Sequence, residues 1–341
     1  MLETIWFILW GVLWAVYFML DGFDLGLGAL MPALAKNETD RRIVYNSMGP
    51  FWDGNEVWLV TAGGATFAAF PTAYAIMFNG LYSALLLLLF ALIIRGVCFE
   101  FRGKVDNPQW KAFWDVAMAV SSFLPTLLLG VAFANIFKGI PIDQSGIYHG
   151  TLFTLLNPYG LAGGVLFVLL FMVHGSLWLA VKSEGELQAR AASMAKKLWP
   201  ALLVVAVLFL LFTFVVTNLF NNYFKYPLMW MLPGVAVASL LLTRVFIQQA
   251  AWWKSWFASS ATIVFVTLFG VGGLFPNILP SSINKAFSVT AFNSASSQLT
   301  LKIMLGVALV IVPIVIGYQT WVYIFLRDKV TEKDLSYEEA Y

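Results

Sequence analysis

Gly49-Pro50-Phe51-Trp52-Asp53-Gly54-Asn55-Glu56-Val57-Trp58 opens an apolar segment of the chain and loads its start with two carboxylates, an amide and two indoles. A lipid-facing helix does not tolerate that set, because a charge at membrane depth costs at least about 2.5–3.5 kcal/mol on insertion scales. A second polar cluster, Asp21-Gly22-Phe23-Asp24, lies inside the preceding apolar segment. Together the two clusters describe a helical membrane scaffold built to keep carboxylates out of lipid.

Composition agrees. Of 341 residues, 60% are hydrophobic and 11% charged, against roughly 25% charged in soluble domains, and mean hydropathy is +0.81. Side chains that apolar cannot all be hidden in one water-soluble core, so the class is a polytopic all-α integral membrane protein. No basic cluster is large enough for nucleic acid. The single cysteine, Cys98, excludes an internal disulfide and reads as packing. His149 and His174 are the whole imidazole supply, and no Cys or His pair has metal-binding spacing. The N-terminus is not expected to be a cleaved signal, since it opens with Glu3 and its apolar run exceeds signal length.

A membrane-spanning helix needs about 20 mostly apolar residues. About nine segments qualify, roughly 5–33, 52–70, 74–98, 112–138, 158–182, 197–219, 229–248, 255–275 and 301–326. The second is the shortest and most polar, and pairing it with the third as a re-entrant hairpin gives eight. Basic residues set the orientation. They gather after alternate segments, at Lys36, Arg41, Arg42; Arg95, Arg102, Lys104, Lys111; Lys182, Arg190, Lys196, Lys197; Arg244, Lys254; and Arg327, Lys329, Lys333. Of the 20 basic residues, only Lys138, Lys225, Lys285 and Lys302 fall on the other side. The basic face is therefore expected to be cytoplasmic, with the N-terminus outside and the C-terminus inside, which requires an odd number of spans. The connections 139–157 and 276–300 are too short for a soluble domain. The second of these reads as an ordered surface loop, and the tail Thr331–Tyr341 as frayed.

Segment one runs inward, and Asp21 lies roughly 24 Å along it at 1.5 Å per residue. Asp21 and Asp24 are i, i+3 neighbours on one face, and Gly22, Gly26 and Gly28 allow another helix to approach closely. Segment two starts at the same membrane face, so Asp21, Asp24, Asp53 and Glu56 are expected on the cytoplasmic side of one helical hairpin. Four carboxylates there suggest a proton-uptake half-channel. A structural alternative makes Asp53 the N-cap of segment two, with Glu56 as its capping partner and Trp52 and Trp58 as interfacial belt residues. Among weaker signals, Asn135 reads as an interhelical hydrogen-bonding group, Asp115 as a helix cap, His174 as a satisfied bundle contact, and Arg95 as a partner for Glu100.

The run Asp21-Gly-Phe-Asp-Leu-Gly-Leu-Gly28, then Arg41-Arg42, then Trp52-Asp-Gly-Asn-Glu-Val-Trp58 with Thr61-Ala-Gly-Gly64, resembles subunit II of the cytochrome bd-type quinol oxidases. Gly130-Val-Ala-Phe-Ala-Asn135, Leu156-Asn-Pro-Tyr-Gly160 and Ser296-Ser-Gln-Leu-Thr-Leu301 extend the match along the chain. The resemblance implies nine spans in two four-helix bundles plus a peripheral helix, here a first bundle at about 1–138, a second at about 158–276 and a last helix at about 301–326. It implies a multi-pass protein of a bacterial or archaeal plasma membrane, paired with a haem-bearing subunit I that carries two b-type haems and haem d. The complex would oxidise quinol and reduce dioxygen to water with cytoplasmic protons. This chain would ligate neither haem nor metal, although a structural quinone can occupy this subunit in some members. Small single-helix subunits and membrane lipids are further partners. The resemblance puts Asp53 on a proton route, with Asp24 as a candidate for proton delivery and Trp52 for cofactor support. Asp21 and Glu56 join the route from the residue reading alone.

A proton-coupled secondary transporter is the reading from a different class, since it too would use intramembrane carboxylates and Gly-rich helices. Against it, the sequence shows no evident internal repeat and no paired broken helices.

Overall fold

In the computed structural model, which describes residues 1–336, the chain is a stack of long helices. Helix α1 spans Leu2–Leu34 and α2 Glu38–Met48; α3 spans Trp52–Ala69, α4 Pro71–Gly80 and α5 Tyr82–Phe101. Helix α6 follows at Pro108–Lys138, a single turn α7 at Leu152–Leu155, then α8 at Pro158–Lys182 and α9 at Gly185–Val216. The short α10 (Phe220–Lys225) leads to α11 (Met231–Gln248), α12 (Trp252–Leu274) and α13 (Gln298–Phe325).

Among the described residues, eight helices are long and apolar enough to cross a membrane. Helix α3, the second of the nine expected segments, is helical but falls short of that measure because of its polar start. The third expected segment is two helices, α4 and α5, separated at Leu81.

Helix starts follow local chemistry. Asn107 precedes Pro108 and accepts from the Gln109 and Trp110 amides; Asn157 precedes Pro158 and accepts from the Gly160 amide. A side-chain acceptor at the N-cap with Pro at the first helical position satisfies one orphan amide and removes another. Asn37 and Ser297 cap α2 and α13 with side-chain acceptors but without the proline.

Helix α1 is the axis. It packs on α3, α6, α8 and α12. A Cβ on Gly26 would land on the Phe171 carbonyl of α8, and one on Gly175 would land on the Leu27 amide of α1, so the two backbones cross with no room for a side chain. The glycines expected to form a close seam do so. Above the crossing Phe18 meets Phe133 and Phe167 at 5.0 Å between ring centroids, and Trp14 meets Phe133 at 5.0 Å. Ring pairs of this kind add about 0.5–1.5 kcal/mol beyond area burial.

The connections are ordered. Strand β1 (Asn277–Leu279) pairs antiparallel with β2 (Val289–Thr290), and Ile140 bridges to Ser281, which bears out the ordered loop. The tail expected to fray is docked as far as residue 336: Leu335 is buried, its carbonyl accepts from Arg42 at 2.7 Å, and Val330 N donates to Lys182 O at 2.7 Å. Residues 337–341 of that tail lie outside the described residues.

At the basic end, Arg102 donates to both oxygens of Glu38, at 3.0 and 2.8 Å, and to Asp115 at 2.6 Å. Asp115 is therefore an ion-pair partner and not the cap of α6. Burial pushes the Glu38 carboxyl up, but the Arg102 hydrogen bonds and the nearby Arg102, Lys111 and Arg41 charges hold it below its ordinary value of 4.5.

Two outcomes follow from these contacts. Gly26→Val should destabilise the fold by about 1–3 kcal/mol or more, since the side chain would meet backbone. The readout is a lower unfolding temperature and loss of the monodisperse peak on size exclusion, with Gly306→Ala, whose surroundings are open, unchanged. A depressed carboxyl stabilises the fold above its unfolded value and stops doing so as pH falls through the folded one. Glu38→Gln should therefore lower the unfolding temperature at neutral pH, and the deficit should close as pH drops below 4.5; a deficit equal at both ends would refute the assignment.

Candidate functional site

Asp21 and Asp24 sit one turn apart on α1, both at 0% exposure. Among the described residues their ion-pair partner is Arg95 of α5, also at 0%. Arg95 Nη2 lies 2.9 Å from Asp21 Oδ1 and 3.9 Å from Asp24 Oδ2, while Nη1 lies 3.5 Å from Glu56 Oε2 of α3. One guanidinium thus faces three carboxylates from two other helices. The expected pairing of Arg95 with Glu100 is wrong: the Arg95 side chain turns inward to α1, away from the end of its own helix. Asp21 Oδ2, Asp24 Oδ1 and Arg95 Nε are buried with no hydrogen-bond partner among the described residues, which is uncommon for buried polar atoms.

Helix α3 brings the remaining groups. Asn55 Nδ2 donates to Asp24 Oδ2 at 2.7 Å, and Asn55 Oδ1 accepts from the Tyr323 hydroxyl of α13 at 2.9 Å. Trp58 Nε1 donates to Gln319 Oε1 at 2.8 Å, and Gln319 Nε2 donates to the Gly54 carbonyl at 2.8 Å. Trp58 is buried, so it is an interhelical donor and not a belt residue. Trp52 is half-buried and stacks on Phe99 with centroids 5.0 Å apart and planes 4° apart.

The capping alternative also fails. The N-cap of α3 is Phe51, with no side-chain cap bond; Asp53 lies inside the first turn and Glu56 turns to Arg95. Of the four carboxylates expected together, Asp21, Asp24 and Glu56 meet around Arg95. Asp53 stands exposed one turn earlier on α3, and the Glu56 side chain, 23% exposed, lies between it and the buried pair. Sequence reasoning missed Arg95 as the hub, and missed Asn55, Gln319 and Tyr323. A lone arginine closing the apolar run Leu85–Ile94 was the usable signal, since such a charge requires a counter-ion; Tyr323 carried none.

His174 is the bundle contact expected: Nδ1 lies 3.1 Å from Ser259 Oγ and Nε2 3.0 Å from the Met19 carbonyl, and its ring stacks on Trp256 at 5.4 Å. His149 is in a surface loop, 2.7 Å from Asp143. Both nitrogens of His174 are thus taken up in hydrogen bonds. Among the described residues no group of three or more His, Cys, Asp or Glu could hold a metal ion. Asn135 links α6 to the start of α8, donating to Leu155 O and accepting from Asn157, both at 2.7 Å.

Removing the cation should leave the acids uncompensated. Arg95→Gln is expected to cost about 3–5 kcal/mol, the range for breaking a buried pair from one side. Asp21→Asn in the same chain should recover part of it, measured as unfolding temperature and yield of folded protein; no recovery would show that the two do not act as a pair.

The profile of the family described as cytochrome bd terminal oxidase subunit II matches residues 2–326. Cytochrome bd ubiquinol oxidase subunit 2 of Bacillus subtilis is 37% identical over 334 residues, covering 98% of each chain. Cytochrome bd-I ubiquinol oxidase subunit 2 of Escherichia coli K12 is 36% identical over 367 residues, covering 98% of this chain and 96% of its own. A chain in the structure of bd oxidase from Geobacillus thermodenitrificans superposes with a TM-score of 0.75 at 13% identity, over 96% of this chain and 99% of that one, which is a likeness of fold. The match runs along nearly the whole of the apolar helical chain, which belongs to the cytochrome bd terminal oxidase subunit II family.

Proposed function

We propose that this chain is the subunit of a quinol-oxidising terminal oxidase that seats the haem-bearing subunit I and delivers it cytoplasmic protons for the reduction of dioxygen to water. The relatives are named ubiquinol oxidase subunits, and membership of an oxidase family leaves the transporter alternative without support. The observation that carries the proton part is the gradation of carboxylates in depth: Asp53 exposed, Glu56 partly exposed, Asp21 and Asp24 fully buried. A buried carboxylate set near the basic end of a membrane bundle is the usual material of a proton relay.

Subunit I would supply the haems and their redox chemistry. What this chain's residues do is hold and pass protons. Asp53 takes them at the α3 surface, Glu56 passes them inward, and Arg95 fixes the acceptor oxygens of Asp21 and Asp24. Docking follows from the same helix. Along α3 the side chains of Asp53, Val57, Val60 and Phe67 are exposed. The exposed Val57, Val60 and Phe67 are where subunit I would pack, with Asp53 at the start of the helix left open to water. Trp52, stacked on Phe99 beside it, supports that contact.

The test uses the two-subunit complex. Asp24→Asn and Asp53→Asn should each lower oxygen consumption and proton uptake by about tenfold or more, the lower range for loss of a positioned proton-transfer group, while haem content stays at the wild-type level. Wild-type turnover in both variants would end the proton reading. Wild-type turnover in Asp53→Asn alone would exclude the outer part of the route.

A further inference from the structure

Two side chains of α13 reach into the acidic site, and one of them closes a hydrogen-bond chain with a direction. The Tyr323 hydroxyl donates to Asn55 Oδ1, and Asn55 Nδ2 donates to Asp24 Oδ2. Among the described residues Asn55 is the only hydrogen-bond partner of that hydroxyl, and the Asn55 side chain bonds to Tyr323 and Asp24 alone. The Tyr323 ring is fixed by its neighbours, with centroids 4.7 Å from Phe51, 5.8 Å from Trp178 and 6.3 Å from Trp256. Its hydroxyl therefore cannot swing to another partner without unpacking the ring.

An ionised carboxylate only accepts, an amide NH2 only donates, and a phenol does either. The chain as it stands suits an Asp24 that is ionised, or one protonated on Oδ1, the oxygen with no hydrogen-bond partner among the described residues. A proton on Asp24 Oδ2 would point at the Asn55 NH2, donor against donor. A half-turn of the Asn55 amide removes the conflict: Oδ1 then accepts from the Asp24 hydroxyl, and Nδ2 donates to the Tyr323 oxygen. The reversal works because the far end of the chain is amphoteric. A phenylalanine at 323 would leave one buried amide group unpaired in both settings, and such a group carries its full desolvation cost.

We propose that Tyr323 is a positioning residue for Asp24: through Asn55 it keeps a matched hydrogen bond on that carboxyl in both of its protonation states. The inference rests on the reading that Asp24 takes up and releases protons. It assigns to the last helix a part in proton handling that its own apolar sequence does not suggest, and it requires that Tyr323 be felt only where Asp24 can titrate.

The experiment is done on the intact two-subunit complex with Tyr323→Phe, Asp24→Asn, the double variant and Gln319→Leu. The last removes the other α13 contact, to Trp58 and Gly54, without touching Asn55. Tyr323→Phe should assemble with wild-type haem content and lower turnover at saturating quinol by about three- to tenfold, the equivalent of one hydrogen bond of ordinary net strength. The KM for quinol should not move, and the solvent deuterium isotope effect on turnover should rise. Added to Asp24→Asn, Tyr323→Phe should produce no further loss. In infrared difference spectra of proton uptake, the carboxyl C=O band that Asp24→Asn deletes should be shifted in Tyr323→Phe. If Asp24→Asn is slow while Tyr323→Phe keeps wild-type turnover and an unshifted band, the positioning role is wrong and the proton reading stands. If Gln319→Leu slows the complex as much as Tyr323→Phe and the double variant multiplies the losses, Tyr323 only seats α13. If Asp24→Asn itself leaves turnover and the band pattern unchanged, the proton reading falls and this inference with it.

Discussion

Arg95 is a guanidinium at 0% exposure with carboxylates of α1 and α3 at 2.9, 3.5 and 3.9 Å. Taking such a group out of water costs several kcal/mol per ion even after relaxation, and only good geometry repays it. The helices around it are arranged to provide that geometry. Helix α1 must present Asp21 and Asp24 on one face, α3 must place Glu56 within reach, and α5 must turn Arg95 inward although its neighbours Ile93 and Ile94 face outward. The close crossing of α1 on α8 at Gly26 and Gly175 holds α1 from its other side. The apolar packing and the ionic hub therefore constrain the same helix from opposite directions.

Helix α13 is attached by a different principle. Only 6% of its most apolar stretch is buried, against 72% for α8, so close packing does not hold it. Hydrogen bonds tie it at both ends: Gln298 to Glu3 at 2.5 Å and Trp6 to the Leu301 carbonyl at 3.1 Å near one end, Trp58–Gln319 and Tyr323–Asn55 toward the other. Past its end, Lys182 donates to the Leu326 carbonyl at 2.5 Å and also to that of Asp328. In lipid, where association gains little from the hydrophobic effect, polar side chains can tie a helix in place. The consequence is that a helix with a largely bare surface is coupled to the buried acidic site.

The seam and the acid pair were legible because they are local: Gly22, Gly26 and Gly28 share α1 with Asp21 and Asp24, and helical spacing alone puts them in register. Asn135 and His174 were legible for a related reason, since a polar group in an apolar helix must find a partner. What sequence could not supply was the rotation of one helix against another. Arg95 reads as a helix-end residue beside Glu100 until α5 is turned so that it meets α1. Asp53-x-x-Glu56 fits a capping box, and fails as one only because the helix begins at Trp52 and carries both carboxylates inside its first turn and a half. Tyr323 and Asn55 are 268 residues apart, and neither has a local pattern pointing at the other.

Arginine is not deprotonated in proteins, so the charge of this site changes only through its carboxyls. That gives Arg95 a role beyond counter-ion. Its Nη2 is shared unequally, close to Asp21 and 1 Å farther from Asp24. Neutralising one carboxyl therefore alters the pull on the shared nitrogen, and in a medium of low dielectric that alteration is felt strongly by the other. A proton reaching Glu56, the one member of the cluster with solvent exposure, would weaken its hold on Nη1 and shift the guanidinium toward the buried pair. The three carboxyls thus share one cation that cannot itself lose its charge, and of the three only Glu56 has solvent exposure.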